Sequence, residues 1–530
     1  MRLRIRQLAL LLAGVMPMFS CQRDEPSEPS VTQPEGYAQL LRIYKSSQRY
    51  SDVLMEDSSL VLVSSEGETV VMSLADMVVE PDPVSSAQVV AVGSDGRWMV
   101  GGVSTRVYRN EALSDRDAIP FYLYFSTDKS LHLRISNGNH LVIKKESIQI
   151  PTVYLTTTDR SGITSKEEYK TGTITIKDPS HLYWDKSEFE APMRIRGRGN
   201  STWGMPKKSY KIKLDEKACI FDMSTDKEWC LLANYCDKSL LRNITAMEIS
   251  RRLGFSWTPK MYSVEVYLNG RYDGVYCFSE HKKVSKERVN IDVDAGDMFF
   301  EIDQSQDEPV CWTTAHGAPM MFSDPSNPTE EQIAYAKAFF KGFEDALWNK
   351  EFSTVYGTYI DKRSFINNFI IQELTKNVDG NLRKSSFITL PVNGKLEMYH
   401  VWDFDITLGN CDYYGDGLPT WQGWWVKDQG AIGRYHGWYY RLFMDADFTA
   451  EVKARWEEIY PQLQTIPDYI REQVTLLGEA PERNFQRWQI LSTYVWPNAK
   501  VTGSYEGEVD WLLENYNKRL AWINSQIKSW

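Results

Sequence analysis

Three aspartates in the stretch from Asn377 to Asp405, NVDGNLRKSSFITLPVNGKLEMYHVWDFD, have the types and spacing to do chemistry: Asp379, Asp403 and Asp405. Phosphoryl transfer needs one carboxylate beside the attacking hydroxyl and another on the divalent metal that bridges the ATP phosphates. Asp379 suits the first task. Asp403 suits the second, with Mg2+ or Mn2+ as the ion and Asp405 beside it. An apolar helical pattern, FINNFIIQELTKN, ends just before Asp379, and a basic loop with Arg383 and Lys384 follows. Two strand-like runs, FITL and KLEMYHV, flank an Asn393-Gly394 turn, so a hairpin returns WDFD towards Asp379. The second strand delivers WDFD, so alternation sends Asp403 and Asp405 off one face. The same residues also fit a plainer reading, in which Asp379 caps a turn and WDFD is a buried polar network.

The elements that would complete such a site lie upstream. In MRIRGRGNSTWGMPKKSYKIKL two half-buried strand patterns flank a loop with Gly197, Gly199, Asn200 and Ser201. Glycines let backbone N–H groups approach phosphate closely. No GK[ST] follows, so the loop is not a Walker motif. Lys208, Lys211 and Lys213 are candidates to put an ammonium on ATP phosphates, against the plainer reading of a solvated basic face. EWCLLANY then reads as a strand and DKSLLRNITAMEISRRLG as a helix, with Asp237 or Ser239 as its cap and Gly254 at its end. Glu248 on that helix is a candidate to pair with a strand lysine, or else it stays beside Arg251 and Arg252. A second hairpin turns at Asn269-Gly270, and its return strand leads to Phe278–Glu280, where an adenine would meet the backbone.

Taken in order, RGRGNSTWGMPKKSYKIKL, ANYCDKSLLRN, YLNGRYDGVYCFSEHKKV, the NVD loop and VWDFDITLGN resemble the CotH kinase family, the spore coat protein H type of atypical kinase. The resemblance runs from about Leu155 to the C-terminus. It implies a kinase-like fold with a β-rich small lobe and a helical lobe, Asp379 as the catalytic-loop aspartate and Asp403 on the metal. In many members the catalytic loop ends in Asn, a second-metal ligand. Here Ser385-Ser386 stand there, which leaves the hydroxyl of Ser386, a weaker donor.

The N-terminus reads as an export signal: basic MRLRIRQ, apolar LALLLAGVMPMF, too short to span a bilayer, then Ser20-Cys21. Cys21 is the expected lipidation site. The following QRDEPSEPSVTQPEG is a polar tether, and Asp24-Glu25 suits an address to the outer membrane or cell surface. A net charge of −11 argues against nucleic acid as a partner. The six other cysteines show no CxxC spacing, so a zinc site is not expected. Residues 37–150 carry recurring strand patterns, LVLVSS, TVVMSL, AQVVAVG, RWMVGG, FYLYFS, LHLRIS and HLVIKK, which suggest a small sandwich-like module. The last hundred residues are helical by pattern, and Trp421, Trp424 and Trp425 either fill the large lobe or offer a stacking surface.

The expected architecture is therefore α+β: a signal segment (1–21), a tether (22–36), an all-β module (37–150) and a two-lobed kinase-like domain (151–530), divided near residue 295. The expected function is an extracytoplasmic, membrane-anchored kinase that uses ATP and a divalent metal on a protein hydroxyl. The alternative is a catalytically silent surface lipoprotein that binds glycan or protein.

Overall fold

The structure, a computed structural model, describes residues 149–380, 382–429 and 437–530, together with the strands that lie between residues 50 and 144. The signal segment, Cys21 and the tether lie outside the described residues. So does Asn381. The chain divides after Gln149 into two compact units, and the second comprises Ile150–Ile470 with Glu479–Trp530.

The region before residue 149 is β-rich. It holds β1 (Tyr50–Glu56), β2 (Ser59–Ser64), β3 (Thr69–Ser73), β4 (Val78–Glu80), β5 (Val90–Val92), β6 (Arg97–Val100), β7 (Val103–Tyr108), β8 (Phe121–Ser126), β9 (Ser130–Ile135) and β10 (His140–Lys144). They pair in three sheets, β1-β2-β3, β5-β6-β7 and β4-β10-β9-β8. Every run read as a strand there is one. β1, β4 and β7 are additional; they are mixed or short sequences with little alternation to see.

The second unit begins with a closed barrel. Its strands are β11 (Thr152–Thr157), β12 (Lys170–Lys177), β13 (Glu188–Arg198), β14 (Ser209–Ala218), β15 (Asp226–Leu232), β16 (Met261–Leu268) and β17 (Arg271–Glu280), in the order β11-β12-β13-β14-β15-β17-β16. Met193 and Ile195 on β13, and Tyr210, Ile212 and Leu214 on β14, are buried in the barrel core. Arg194, Lys211 and Lys213 point outward and stay partly exposed. One apolar face per strand is most fully buried by curling the sheet onto itself, which also removes its edges. Closure comes from β11 running parallel to β16, Thr152 against Glu265 through Leu155 against Leu268. The hairpin turn helps to seal it: Asn269 and Gly270 both have positive φ, and Asn269 Oδ1 accepts the Thr157 N–H at 2.9 Å.

Between β15 and β16 sits α1 (Arg242–Leu253). It starts later than its cap candidates suggest. Asp237 Oδ2 still accepts the Arg242 N–H at 2.8 Å, and Gly254 ends the helix with φ +73°. After the barrel comes a five-stranded sheet, β19-β20-β18-β21-β22, from β18 (Met298–Ile302), β19 (Cys311–Thr313), β20 (Pro319–Asp324), β21 (Ser386–Leu390) and β22 (Glu397–Val401). The remaining helices are α2 (Glu330–Trp348), α3 (Phe352–Val355), α4 (Lys362–Thr375), α5 (Val426–Gln429), α6 (Trp438–Leu442), α7 (Ala446–Leu463), α8 (Ile466–Leu477), α9 (Ala480–Arg487) and α10 (Tyr505–Lys528). Among the described residues no helix is long and apolar enough to cross a membrane. The chain is thus mixed α and β, with its strands concentrated early and its helices late. From the late helices α9 returns to the barrel: Trp488 Nε1, just past its end, donates to Asp273 O at 2.8 Å, and Arg483 Nη2 pairs with Glu265 at 2.9 Å.

Candidate active site

α4 delivers Asp379. The helix is capped by Asp361, which accepts the Ser364 N–H at 2.7 Å, and it is buried from Ser364 to Thr375. It stops at Lys376, whose φ of +45° turns the chain back. Asn377 Oδ1 then accepts the Asp379 N–H at 3.1 Å, and Asp379 O accepts the Lys384 N–H at 3.2 Å. Gly380 is required by space: a Cβ there would lie 1.9 Å from Gln372 Oε1. The Asp379 side chain is partly exposed, with Arg383 Nη1 3.8 Å away. Burial raises its carboxyl above the usual range. Lys384 and Arg383 oppose that rise, and the charges of Asp403 and Asp303 add to it.

The hairpin β21–β22 forms as its Asn-Gly turn predicts and carries the chain to WDFD. The alternation argument does not survive. β22 ends at Val401, and Asp403 has φ +68°, so the two carboxylates of WDFD enter different surroundings. A non-glycine residue held in the left-handed region costs about 1–3 kcal/mol, a strain that concentrates at functional sites. Asp403 opens to solvent, yet it is set among enough protein that desolvation raises its carboxyl; Arg198, Lys384 and Lys282 oppose this, and Asp303 reinforces it. Asp405 is buried. Burial, then the Asp403 charge, pushes its carboxyl up, and the Cys236 thiol donates to its Oδ2 at 3.3 Å.

The ANYCDKSLLRN segment holds this loop. Asn243 Oδ1 accepts the Phe404 N–H at 2.8 Å, Arg242 Nε donates to Thr407 O at 3.0 Å, and Asn410 Nδ2 bonds Cys236 O at 3.0 Å and Asp405 O at 2.7 Å. The Arg242–Asp237 ion pair, at 2.6 Å, is fully buried. These sequence neighbours position the aspartates; they are not themselves the chemistry.

The glycine loop is explained by packing. Gly197 lies within β13 opposite Tyr210, and its N–H is spent on Ser165 O at 2.8 Å. A Cβ there would meet the Trp203 ring at 2.1 Å. Gly199 has φ +99° and faces the Thr202 hydroxyl. Asn200 and Ser201 enter a short 3-10 turn, Ser201–Gly204. The lysines are also engaged. Lys208 turns onto the Trp203 carbonyl and ring. Lys211 and Lys213 reach Glu228 at 2.8 and 3.0 Å, and against its burial they hold that carboxyl down to about 2. Lys211 also meets His281 Nε2 at 2.9 Å. Burial and the surrounding cations keep His281 neutral, so Nε2 accepts from the ammonium.

One expectation is corrected. Glu248 pairs with no strand lysine; Arg251 Nε at 3.0 Å and Arg252 Nε at 2.7 Å take both of its oxygens. The lysine–glutamate pair is strand to strand, and Lys213 directly faces Glu228 in the register of β14 and β15. Ser386 is buried at the start of β21, and its hydroxyl donates to Lys384 O at 3.2 Å, which leaves its lone pairs open.

Three residues missed in the sequence belong here. Arg198, between Gly197 and Gly199, stacks over the Trp402 ring at 5.5 Å and is the first opposing charge on Asp403. Lys282, just beyond the return hairpin, pairs with the buried Glu301. Asp303 follows Ile302, which faces Ser386 across β18 and β21. Only the sheet register brings it to the aspartates.

Among the described residues no three His, Cys, Asp or Glu side chains group to cage a metal unaided. Mg2+ in phosphoryl-transfer sites is usually held by one or two carboxylates plus substrate phosphates, so the hard oxygens of Asp403 and Asp405 fit it. The aromatic cluster is largely packed: Trp425 is buried with Nε1 on Val378 O at 3.2 Å, and Trp424 lies 5.0 Å from Trp522.

Among curated proteins none matches the chain. The family model described as CotH kinase protein matches residues 195–523, from the middle of β13 into α10 and across both carboxylate loops. The glycine loop, the ANYCDKSLLRN segment and the β21–β22 hairpin are all inside that match, and the chain belongs to the CotH kinase family.

Proposed function

We propose that this protein is an extracytoplasmic kinase that transfers phosphate from ATP to a protein hydroxyl with a divalent metal, tethered to a membrane by a lipid on Cys21. One observation carries the catalytic reading: the loop after α4 and the loop after β22 put Asp379, Asp403 and Asp405 close enough for their charges to act on one another, and Arg198 and Lys282 from distant parts of the chain join Lys384 in opposing the charge of Asp403. Asp403 and Asp405 would hold Mg2+ or Mn2+, which neutralises phosphate charge when bound. Asp379 orients the attacking hydroxyl and takes its proton, and its raised basicity suits that task. Arg198, Lys282 and Lys384 supply the positive field in which phosphate oxygens sit.

The test is a thermal-shift titration with ATP and Mg2+ or Mn2+, followed by phosphate transfer. Asp379→Ala should lower turnover and leave nucleotide binding nearly intact. Asp403→Ala should lose both. If the wild type binds no nucleotide with either metal, the catalytic reading fails. The competing reading, a silent surface lipoprotein binding glycan or protein, has in its favour the Ser386 hydroxyl at the second-metal position, a weaker donor than an amide or carboxylate oxygen. For the anchor, Cys21→Ser should release the protein from membranes; continued membrane partitioning after signal cleavage would place the anchor elsewhere.

A further inference from the structure

Most exposed large apolar side chains among the described residues fall in two segments. Tyr413 and Leu418 lie in one, and Tyr494, Trp496 and Val501 in the other. The segments form one surface. Asp412 N donates to Pro497 O at 3.0 Å, Tyr494 Oη donates to Asp412 Oδ2 at 2.7 Å, and the Tyr413 and Trp496 rings stack 5.7 Å apart with planes 2° from parallel. That surface is tied to the backbone of the Asp405 loop: Asn498 Nδ2 donates to Asn410 Oδ1 at 2.8 Å and to Cys236 O at 2.7 Å, and Asn410 Nδ2 donates to Asp405 O. Tyr413 also feels the Asp379 charge, second only to burial among the causes that raise its phenol. Nothing in the chemistry assigned above uses these rings.

We propose that the Tyr413–Trp496 surface docks the acceptor, an extended, acidic, proline-bearing peptide whose hydroxyl reaches Asp379. The proposal rests on the kinase reading for the fate of the hydroxyl, but not for the docking itself. Flat exposed rings bind prolines of extended peptides at low entropic cost. Arg383, whose charge acts on both Tyr413 and Asp379, favours acidic flanks. The chain carries such a sequence in 24–35, DEPSEPSVTQPE. It offers Ser27, Ser30 and Thr32 as hydroxyls, with Pro26, Pro29 and Pro34 between acids and no basic residue.

The experiment uses the full chain with Pro26, Pro29 and Pro34 changed to Ala, so that its own segment competes weakly. Synthetic 24–35 is titrated by calorimetry against this protein and against the same chain carrying Trp496→Ala or Trp496→Phe. Trp496 is exposed, so neither change threatens the fold. Affinity should fall about tenfold or more with Trp496→Ala and persist with Trp496→Phe. A peptide with its three prolines replaced by Ala should bind weakly to all three proteins. Equal affinity for the wild-type ring and Trp496→Ala, no binding at all, or maltohexaose binding that Trp496→Ala abolishes while peptide binding is untouched would each overturn the proposal. ATP–Mn2+ thermal shift, measured in parallel, separates the two ideas: peptide docking without nucleotide binding sinks the kinase reading and leaves the platform standing.

Discussion

Replacing Asp405 by Asn should stabilise the metal-free protein at neutral pH and abolish its response to metal. The buried Asp405 carboxyl is pushed from an ordinary 3.8 to about 8, first by burial and then by the Asp403 charge. Between those values the folded state binds a proton that the unfolded state does not, so stability falls as pH rises through the window. At pH 7 the wild type protonates this group at about 1.36 kcal/mol per unit over roughly three units, an upper limit of about 4 kcal/mol. Water reaching the open Asp403 beside it lowers the realistic figure to about 2 kcal/mol. Asn carries no charge and can still accept from Cys236. Scanning fluorimetry from pH 4 to 8 should therefore show Asp405→Asn melting a few degrees higher at pH 7 and the difference fading by pH 4. Mg2+ or Mn2+ at about 100 times its dissociation constant should add about 2.7 kcal/mol to the wild type and little to the variant. A variant less stable at pH 7, with the wild-type pH slope unchanged, would refute the reasoning.

Three further outcomes are expected. Gly197→Ala should cost about 1–3 kcal/mol by driving a methyl into Trp203, and adding Trp203→Leu should recover part of it in thermal melts. Arg519→Leu should cost about 3–5 kcal/mol, because it strands the buried Glu373 that pairs with it at 2.7 Å and accepts the N–H groups of Trp425, Val426 and Lys427; Glu373→Gln should cost less, and the double variant less than the sum. Glu248→Gln should leave the ATP–metal thermal shift unchanged, since both its partners are arginines on its own helix; loss of that shift would restore a helix-to-strand role.

Much of the local structure was legible in the chain. Alternation placed β13 and β14 because burial on one face leaves a period-two trace, and short apolar runs marked seven of the ten strands between residues 50 and 144. Asn269-Gly270 and Asn393-Gly394 marked hairpins because few residues tolerate their backbone. The aspartates could be singled out because a helix, a turn and a hairpin in succession limit where each can go. What the sequence could not decide was contact at long range. Glycines at 197 and 199 look alike whether phosphate or Trp203 fills the space above them. Three lysines close in sequence do not reveal that Glu228 lies on the adjoining strand. Asp303 has no local signature; it joins the site because β18 pairs with β21. Closure of the barrel depends on β11 meeting β16, a parallel pairing between segments some hundred residues apart. Strand propensity is a local property, but register and neighbour are settled only when the whole chain buries its apolar faces together.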